Sequence, residues 1–583
     1  MPQGGRKVPF SGKAKKQQIQ AKKGRKRSEP ERPAGAFGER SMRHVRSVHE
    51  SEDGESDGSG IKVHKINQQP GKGKNLNRYA IHFQQETKEG IEAQKELARK
   101  ELVHIPENEL EVERSLPFPA ELDFPKRPPW DSSMSAADLE KNEHEYFDAY
   151  MKNVQKKFPA SELSYFEMNI ETWRQLWRVL EMSDIVLFIV DIRFPIYLFP
   201  PSLYEFVIKT LKKDMILVLN KIDLAPAPLV LAWKHYFKNA YPELQVLTFT
   251  AYPGYNLRDP SDKEGGLQVR RRRGKMRMAA EGAEQLLNAC EHIVSGQVDL
   301  SSWHKKVAEE LNTVYEDDSL IVGKTLETTE ADTSYHDHKK FSDGILTIGC
   351  VGQPNVGKSS LMNAIMGKKV VSVSRTPGHT KYFQTIFLTP TVKLCDCPGL
   401  VFPSKVPKPL QVLMGSYPIA QLREPFSSIQ FLAERLDLVK LLKLHHADNE
   451  DTWSAFDICD AWAKQRGFFT AKAARLDSYR SANHLLRMAL DGKICLCLYP
   501  PNYTAEKEMW LSHSELDGIK KVQAKSTDVA GTYEEENYST DDDESASRGQ
   551  DSQSQDAGSE SSGSEEISGS KNKFANLPED ECT

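Results

Sequence analysis

The sequence predicts an α/β fold, a doubly wound and mostly parallel sheet with crossover helices. A mostly helical C-terminal region follows it, and disordered tails flank both. Three observations carry this prediction. The loop Gly352-Gln353-Pro354-Asn355-Val356-Gly357-Lys358-Ser359 lies between an apolar run at 345–351 and a helically spaced run at 360–366. Two further apolar runs, 185–191 and 214–219, are separated by a helix-length segment, the pattern of parallel strands joined by a crossover. A tetrad at the end of the second run, Asn220-Lys221-Ile222-Asp223, has the composition of a nucleobase reader but comes well before the glycine loop.

The glycine loop has the strand–loop–helix context that a Gly-x-x-x-x-Gly-Lys-Ser motif needs in order to hold phosphates. Its backbone N–H groups wrap the anion, and the helix N-terminus adds a favourable dipole. Gly352, Asn355, Val356, Gly357, Lys358, Ser359 and Ser360 are therefore nucleotide-binding candidates. Lys358 should reach the β- and γ-phosphates, and Ser359 should bind Mg²⁺. The bland reading is a glycine turn without a ligand. Asp396-Cys397-Pro398-Gly399 follows a strand-like run at 391–395. Asp396 can hold Mg²⁺ through water, and the Gly399 N–H can sense a γ-phosphate. Between these motifs, Arg375-Thr376-Pro377-Gly378-His379-Thr380 is a polar, glycine-containing loop. Thr380 is the candidate that closes on Mg²⁺ and the γ-phosphate, with Thr376 as its competitor. The catalytic set read from these motifs is then Lys358, Thr380 and Gly399, and the metal set is Ser359, Thr380 and Asp396.

Asp223 can accept two hydrogen bonds from guanine, one from N1–H and one from the 2-amino group. Adenine lacks that pair and would leave a desolvated carboxylate unmatched. Lys221 would cover the base and Asn220 would support the loop. A third strand-like run, 245–249, ends in Thr250-Ala251, a small pair suited to a loop whose N–H touches guanine O6. A surface turn is the alternative reading of the tetrad.

In an ordinary Ras-like GTPase the phosphate loop comes first. Here the run at 185–191, which should follow the Asp-x-x-Gly loop, precedes everything. The chain reads as a circularly permuted Ras-like P-loop GTPase domain, cut after Asp-x-x-Gly, with the old termini joined through about 252–344. The order of motifs, with Asp191-x-Arg193-x-Pro195, resembles the circularly permuted GTPases of the YlqF/YawG family. Arg127-Pro128-Pro129-Trp130, Tyr417-Pro418-Ile419-Ala420-Gln421-Leu422-Arg423-Glu424-Pro425 and Thr470-Ala471-Lys472-Ala473-Ala474-Arg475 narrow the resemblance to one subgroup, as do the basic start and acidic end. The resemblance spans about 120–510 and implies GTP binding and hydrolysis to GDP and phosphate. Its relatives act in large ribosomal subunit assembly or export. Leu400 stands where Ras-like enzymes carry a water-orienting glutamine, so slow intrinsic hydrolysis is expected. Asn355 matches an asparagine that helps hold K⁺ at the phosphates in potassium-stimulated relatives. K⁺ is thus implied beside Mg²⁺, and a loop-stabilising side chain is the alternative.

Composition bounds the rest. The chain has 583 residues, 38% of them apolar and 28% charged, which suits two or three domains and long disordered segments. A net charge of −5 conceals two opposite blocks. Residues 1–27 carry ten Lys/Arg and no acid, and residues 534–583 carry fifteen Asp/Glu against three Lys/Arg. No N-terminal apolar segment suggests a signal peptide. The apolar stretch 185–208 is broken by Asp191, Arg193 and three prolines, so no membrane span or membrane partner is expected. Eight cysteines fit a reducing compartment, and their spacing, like that of the histidines, does not suggest zinc.

The expected organisation is a basic disordered region at 1–85 and a helical, Pro-rich lead-in at 86–160, in which 116–129 is a linker. The GTPase domain spans 161–405 with an insertion at 256–340 that holds Arg270-Arg271-Arg272-Arg273 and a short helix near 282–295. A helical region at 406–513, with a strand at 494–498, precedes an acidic disordered tail at 514–583. The basic runs at 6–27 and 270–277 read as nuclear or nucleolar addresses or as contacts to RNA phosphates. Lys464, Arg466, Lys472, Arg475, Arg480 and Arg487, near Phe468, Phe469 and Tyr479, read as an RNA-facing surface or as core. Ser539-Thr540-Asp541-Asp542 is an acid-directed phosphorylation pattern. The resulting expectation is a slowly hydrolysing GTP switch in the nucleus or nucleolus, able to shuttle to the cytoplasm. Its partners would be ribosomal RNA or preribosomal particles. The alternative is a signalling switch recruiting proteins through the C-terminal region and acidic tail.

Overall fold

The computed structural model describes residues 56–57, 61–66, 80–113, 117–131, 133–251, 280–312, 338–368, 370–374, 376–378, 380, 382–446, 451–470 and 475–523. The basic start, Arg270-Arg271-Arg272-Arg273, Arg375, His379, Lys472 and residues 524–583 lie outside these residues. The first part of the expected acidic tail is described, and Leu516–Val522 is a helix packed on the domain, which corrects the expectation of disorder from residue 514.

Ser56–Asp57 (β1), Ile61–Ile66 (β2) and Ile81–Gln84 (β3) form an antiparallel sheet. This corrects the expectation of disorder through residue 85. Ile66, Ile81 and Phe83 are buried, and Phe83 lies against Tyr165 and Tyr417, so the segment gains a partner that no local pattern announces. Helix α1 follows at Lys88–Leu97. The Pro-rich stretch expected to be a linker is packed as well. Phe124 is buried and meets Trp173 and Phe402 with ring centroids 6.3 and 5.8 Å apart.

Helix α2 (Ala136–Lys157) starts where the Ser135 side chain accepts the Asp138 N–H. Helix α3 (Ile170–Met182) buries Trp173, Leu176 and Leu180 and is capped by Asn169. Arg127 and Arg174 both bond Glu143, at 2.9 and 2.7 Å, and Arg127 also holds Glu181 at 2.6 Å. These pairs fasten α2 to α3.

The main sheet contains Ile185–Asp191 (β4), Asp214–Asn220 (β5), Gln245–Thr248 (β6), Leu346–Val351 (β7), Gln384–Thr389 (β8) and Val392–Asp396 (β9), in spatial order β6-β5-β4-β7-β9-β8. Only the β8–β9 pair is antiparallel. Every residue of β4 and β7 is buried, as expected of parallel strands covered on both faces. The helix-length segment that crosses from β4 to β5 is the short helix Pro201–Glu205 followed by a π-helical turn, Phe206–Thr210. Ala227–Ala240 (α4) connects β5 to β6. The insertion holds Ala280–Val294 (α5) and also a second helix, Ser301–Asn312 (α6).

Starting from β7 and wrapping from β9 back to β4, the strands fall in the order of an uncut Ras-like sheet. β4 from the first part of the chain pairs with β7 from the second, with Ile185 opposite Ile348. That junction is the topological switch point of the sheet, where ligands bind beyond the carboxyl ends of the strands.

Lys358–Met366 (α7) follows the glycine loop. Beyond Gly399 come Lys408–Met414 (α8), Phe426–Arg435 (α9), Ala455–Arg466 (α10), Ser478–Leu490 (α11) and Leu516–Val522 (α12). A capping box between Ser454 and Asp457 starts α10. The expected strand at 494–498 is absent: the segment has no strand pairing, and the residue after it, Tyr499, makes one isolated bridge, to Glu111. Tyr499 bonds the single chain at 110–112, and Leu498 N donates to Arg193 O, so no strand pairs along the segment. Among the described residues no helix is long and apolar enough to cross a membrane.

Candidate functional site

The loop after β7 turns through Gly352 at φ +155°, Asn355 at +57° and Gly357 at +97°. At Gly357 an added Cβ would lie 2.5 Å from Asn220 Nδ2. Glycine is required there twice over, by conformation and by contact. The same Asn220 Nδ2 donates to Val356 O at 2.7 Å. Two motifs far apart in the chain therefore interlock at the carboxyl ends of β5 and β7.

Lys221, in the left-handed conformation at φ +59°, donates to Asn355 O at 2.6 Å and to Asp191 Oδ2 at 2.8 Å. Burial pushes the Asp191 carboxyl up, but Arg193 and Lys221 outweigh it and hold this group well below the usual carboxylate range. Asp223 is buried, and Thr250 Oγ1 donates to its Oδ1 at 2.7 Å. Thr250 and Ala251 lie buried beside the tetrad, with Ile222 N donating to Phe249 O at 3.3 Å. Thr250 thus acts on the reader's carboxylate through its hydroxyl, a contact the sequence does not suggest.

At the phosphate side, the Lys358 ammonium is held by Gly352 O and Gln353 O at 2.9 and 2.8 Å. Burial lowers its pKa, partly offset by Asp396. Ser359 Oγ donates to Asp396 Oδ2 at 3.0 Å. Asp396 is fully buried, and its Oδ1 has no hydrogen-bond partner among the described residues. Burial pushes this carboxyl up to about 6, against the pull of Lys358 and the Ser359 hydroxyl. A buried carboxylate beside a hydroxyl, with one oxygen unanswered, suits a hard cation with oxygen ligands, so the pair fits Mg²⁺. Ser360 is buried in the first turn of α7.

Gly399 lies against the loop: a Cβ there would sit 2.7 Å from Pro354 Cα and 3.2 Å from Lys358 Nζ. Leu400 is buried and donates its N–H to Gly352 O at 3.3 Å, so it packs and cannot orient water. Thr380 is half-buried and makes no hydrogen bond to Ser359 or Asp396. Thr376 is exposed. The structure therefore assembles the phosphate loop, tetrad, Thr250, Ala251, Asp396 and Gly399, and leaves Thr380 outside the group.

Several residues at the site escape a motif search. Asn355 Nδ2 donates to Gly415 O at 2.8 Å, and Ser416 Oγ donates to Gln353 Oε1 at 3.0 Å. Gly415 ends α8 at φ +77°, and a Cβ there would meet Asn355 Nδ2 at 2.9 Å. Arg193, fully buried on Asp191, also donates to Ala489 O at 2.8 Å. Gln523 Nε2 donates to Ile222 O and Ala225 O at 2.6 and 3.0 Å, gripping the tetrad loop from the end of α12. The C-terminal region thus holds both the phosphate end and the base end of the site. Asp191-x-Arg193 was visible as a motif and Gln353 lies inside the phosphate-loop motif; Gly415, Ser416 and Gln523 carry no local signal.

Comparison with known proteins follows the same lines. Residues 347–449 match the family model described as "50S ribosome-binding GTPase". The chain is 46% identical to "Guanine nucleotide-binding protein-like 1" of Mus musculus over 536 residues, 88% of each chain. Against the Homo sapiens protein of the same name it is 46% identical over 546 residues, 89% of this chain and 90% of that one. It is 32% identical to "Large subunit GTPase 1 homolog" of Mus musculus over 431 residues, 65% of this chain and 66% of that one. A solved structure of nucleotide-bound YlqF from T. maritima aligns with a TM-score of 0.32 at 17% identity, covering 57% of this chain and 98% of the other.

Proposed function

The chain belongs to the guanine nucleotide-binding protein-like 1 family and is a GTP-binding GTPase, and from this premise we propose a slow molecular switch acting on large ribosomal subunit precursors in the nucleus. The observation that carries the switch reading is the pair of contacts from Asn355 to Gly415 and from Ser416 to Gln353. Any shift of the phosphate loop on nucleotide exchange must move or break them. The ribosomal part leans on the names of the relatives, one a large subunit GTPase homolog and the matched family a 50S-binding one.

Within this reading Lys358 cradles the β- and γ-phosphates, and Ser359 and Asp396 would hold Mg²⁺, which when bound would supply positive charge to the phosphoryl oxygens. Asp223, oriented by Thr250, reads guanine. Lys221 is fixed between Asp191 and the loop, so it meets the base already positioned. Gly399, in contact with Pro354, reports the γ-phosphate to the chain that continues into α8. Thr380 joins by closure of its loop. With Leu400 packed in the core, water is left without a glutamine to orient it, which supports slow turnover.

Two outcomes are expected. Hydrogen-exchange protection across residues 405–440 should differ between GTP- and GDP-bound protein by about 5–150-fold, the range of a typical coupling free energy. Identical protection would break the proposed link. The Asn355 amide nitrogen is committed to Gly415, and its oxygen is the end that would coordinate K⁺. Turnover in KCl should exceed that in NaCl by about tenfold or more, less than the full weight of an arginine finger. Equal rates would remove K⁺ from the mechanism.

The cellular role is tested by sucrose-gradient sedimentation of the tagged protein from nuclear and cytoplasmic lysates, with a non-hydrolysable GTP analogue or GDP. Nucleotide-dependent migration with large-subunit precursors is expected. Migration as a small free species in both states would replace this reading with that of a regulatory switch for protein partners.

A further inference from the structure

We propose that His235, His513 and Glu515 form a zinc site that fastens α12 to α4, the helix that leaves the guanine-reading loop. His235 lies on α4; His513 and Glu515 lie in the link just before α12. One ligand atom from each of the three falls within 4.8 Å of the other two. His235 Nε2 and Glu515 Oε1 are 3.3 Å apart. That is about the edge of a tetrahedron whose corners lie ~2.0–2.1 Å from a central zinc ion.

The surroundings fit a ligand set better than an ordinary ion pair. His235 Nε2 is sealed from solvent and forms no well-directed hydrogen bond among the described residues, although the carboxylate oxygen is near. The other carboxylate oxygen, Glu515 Oε2, is held by Lys234 Nζ at 2.7 Å, which orients the carboxylate. Trp510 flanks both rings, with centroids 5.4 Å from His235 and 5.8 Å from His513, and supplies an apolar wall. Two imidazoles and one carboxylate are a common zinc set, leaving a position for water. His513 Nδ1 accepts the Glu515 N–H at 3.2 Å. Ligation through either ring nitrogen gives up that long bond, the main cost of the site.

The consequence runs through α12. Gln523, the residue that follows it, holds two carbonyls of the tetrad loop. A metal that pins the start of α12 to α4 therefore stiffens the base-reading end of the site. Zinc binding does not depend on the nucleotide reading; only an effect on nucleotide release would.

The test uses the full chain in its GDP–Mg²⁺ form, stripped of other metals by chelation and then titrated with Zn²⁺ against a competing indicator. One zinc per chain is expected, with binding weakened at least about tenfold by His235→Ala and by His513→Ala. Zinc should raise hydrogen-exchange protection of residues 516–522 in the parent chain and not in either variant. His513→Gln, which keeps a polar side chain, should behave as His513→Ala does, and unaltered GDP affinity in all three variants checks that they fold. Absence of saturable binding overturns the proposal. So does wild-type affinity in the histidine variants, which would put the ion elsewhere, or unchanged protection of 516–522 on binding.

Discussion

An Asp223→Asn variant is expected to lose GTP affinity by roughly 10³–10⁵-fold and to gain affinity for xanthosine triphosphate. The scale is that of a desolvated site built to match a hydrogen-bond pattern and then offered the wrong one. The structure adds the reason the amide should face the base in a defined way. Thr250 Oγ1 donates to Asp223 Oδ1, and an asparagine keeps an acceptor there only if its oxygen takes that place. The amide nitrogen is then directed to the other carboxylate position. It meets donors on guanine, which is unfavourable, and a carbonyl on xanthine, which is favourable. Titration with fluorescent guanine and xanthine nucleotides decides the matter. An unchanged preference for GTP would place base recognition on other residues.

Lys358→Ala should abolish most phosphate binding while leaving the protein folded. Removing one partner from a buried charged pair costs about 3–5 kcal/mol, which is a loss of at least two orders of magnitude in GTP affinity. Folding should suffer little. Among the described residues the ammonium donates only to Gly352 O and Gln353 O, and burial lowers its pKa, so the charged form is itself held at some expense to stability. Calorimetric titration with GTP alongside a thermal melt separates the two effects. Affinity within about threefold of the parent chain, at an unchanged melting temperature, would show that Lys358 does not touch the phosphates, since an intact charge-assisted bond is worth more than that.

Much of the site was legible because its parts are local. Gly352 to Ser359 needs a strand before it and a helix after it, and both patterns sit next to the motif. Asp396 and Gly399 follow β9 in the same way, and Asp223 follows β5. The errors have one physical source. Residues 61–84 looked like part of a charged disordered tail, yet Ile66 and Ile81 are buried and Phe83 packs against Tyr165 and Tyr417. The run at 494–498 has the composition of a strand, but no sheet edge lies beside it. Instead Leu498 N donates to Arg193 O, and Leu498 O accepts the Trp233 indole N–H, at 2.9 and 3.1 Å. Local propensity was satisfied in both cases by partners that only the folded chain could provide.

The sequence by itself determined the class of the fold, the rotated order of its strands and the chemistry of each loop. Those properties follow from periodicity, from glycine where the backbone turns left-handed, and from side chains that chemistry requires at fixed spacing. Tertiary structure decided how the loops meet one another and what grips them. Asn220 on Val356, Lys221 on Asn355, Asn355 on Gly415 and Gln523 on Ile222 all use a backbone carbonyl as acceptor. Every residue type offers that carbonyl, so such contacts leave no trace in the receiving sequence. The cluster of His235, His513 and Glu515 is hidden for a related reason. Its ligands come from segments far apart in the chain, and only the docking of the C-terminal end on α4 brings them within reach.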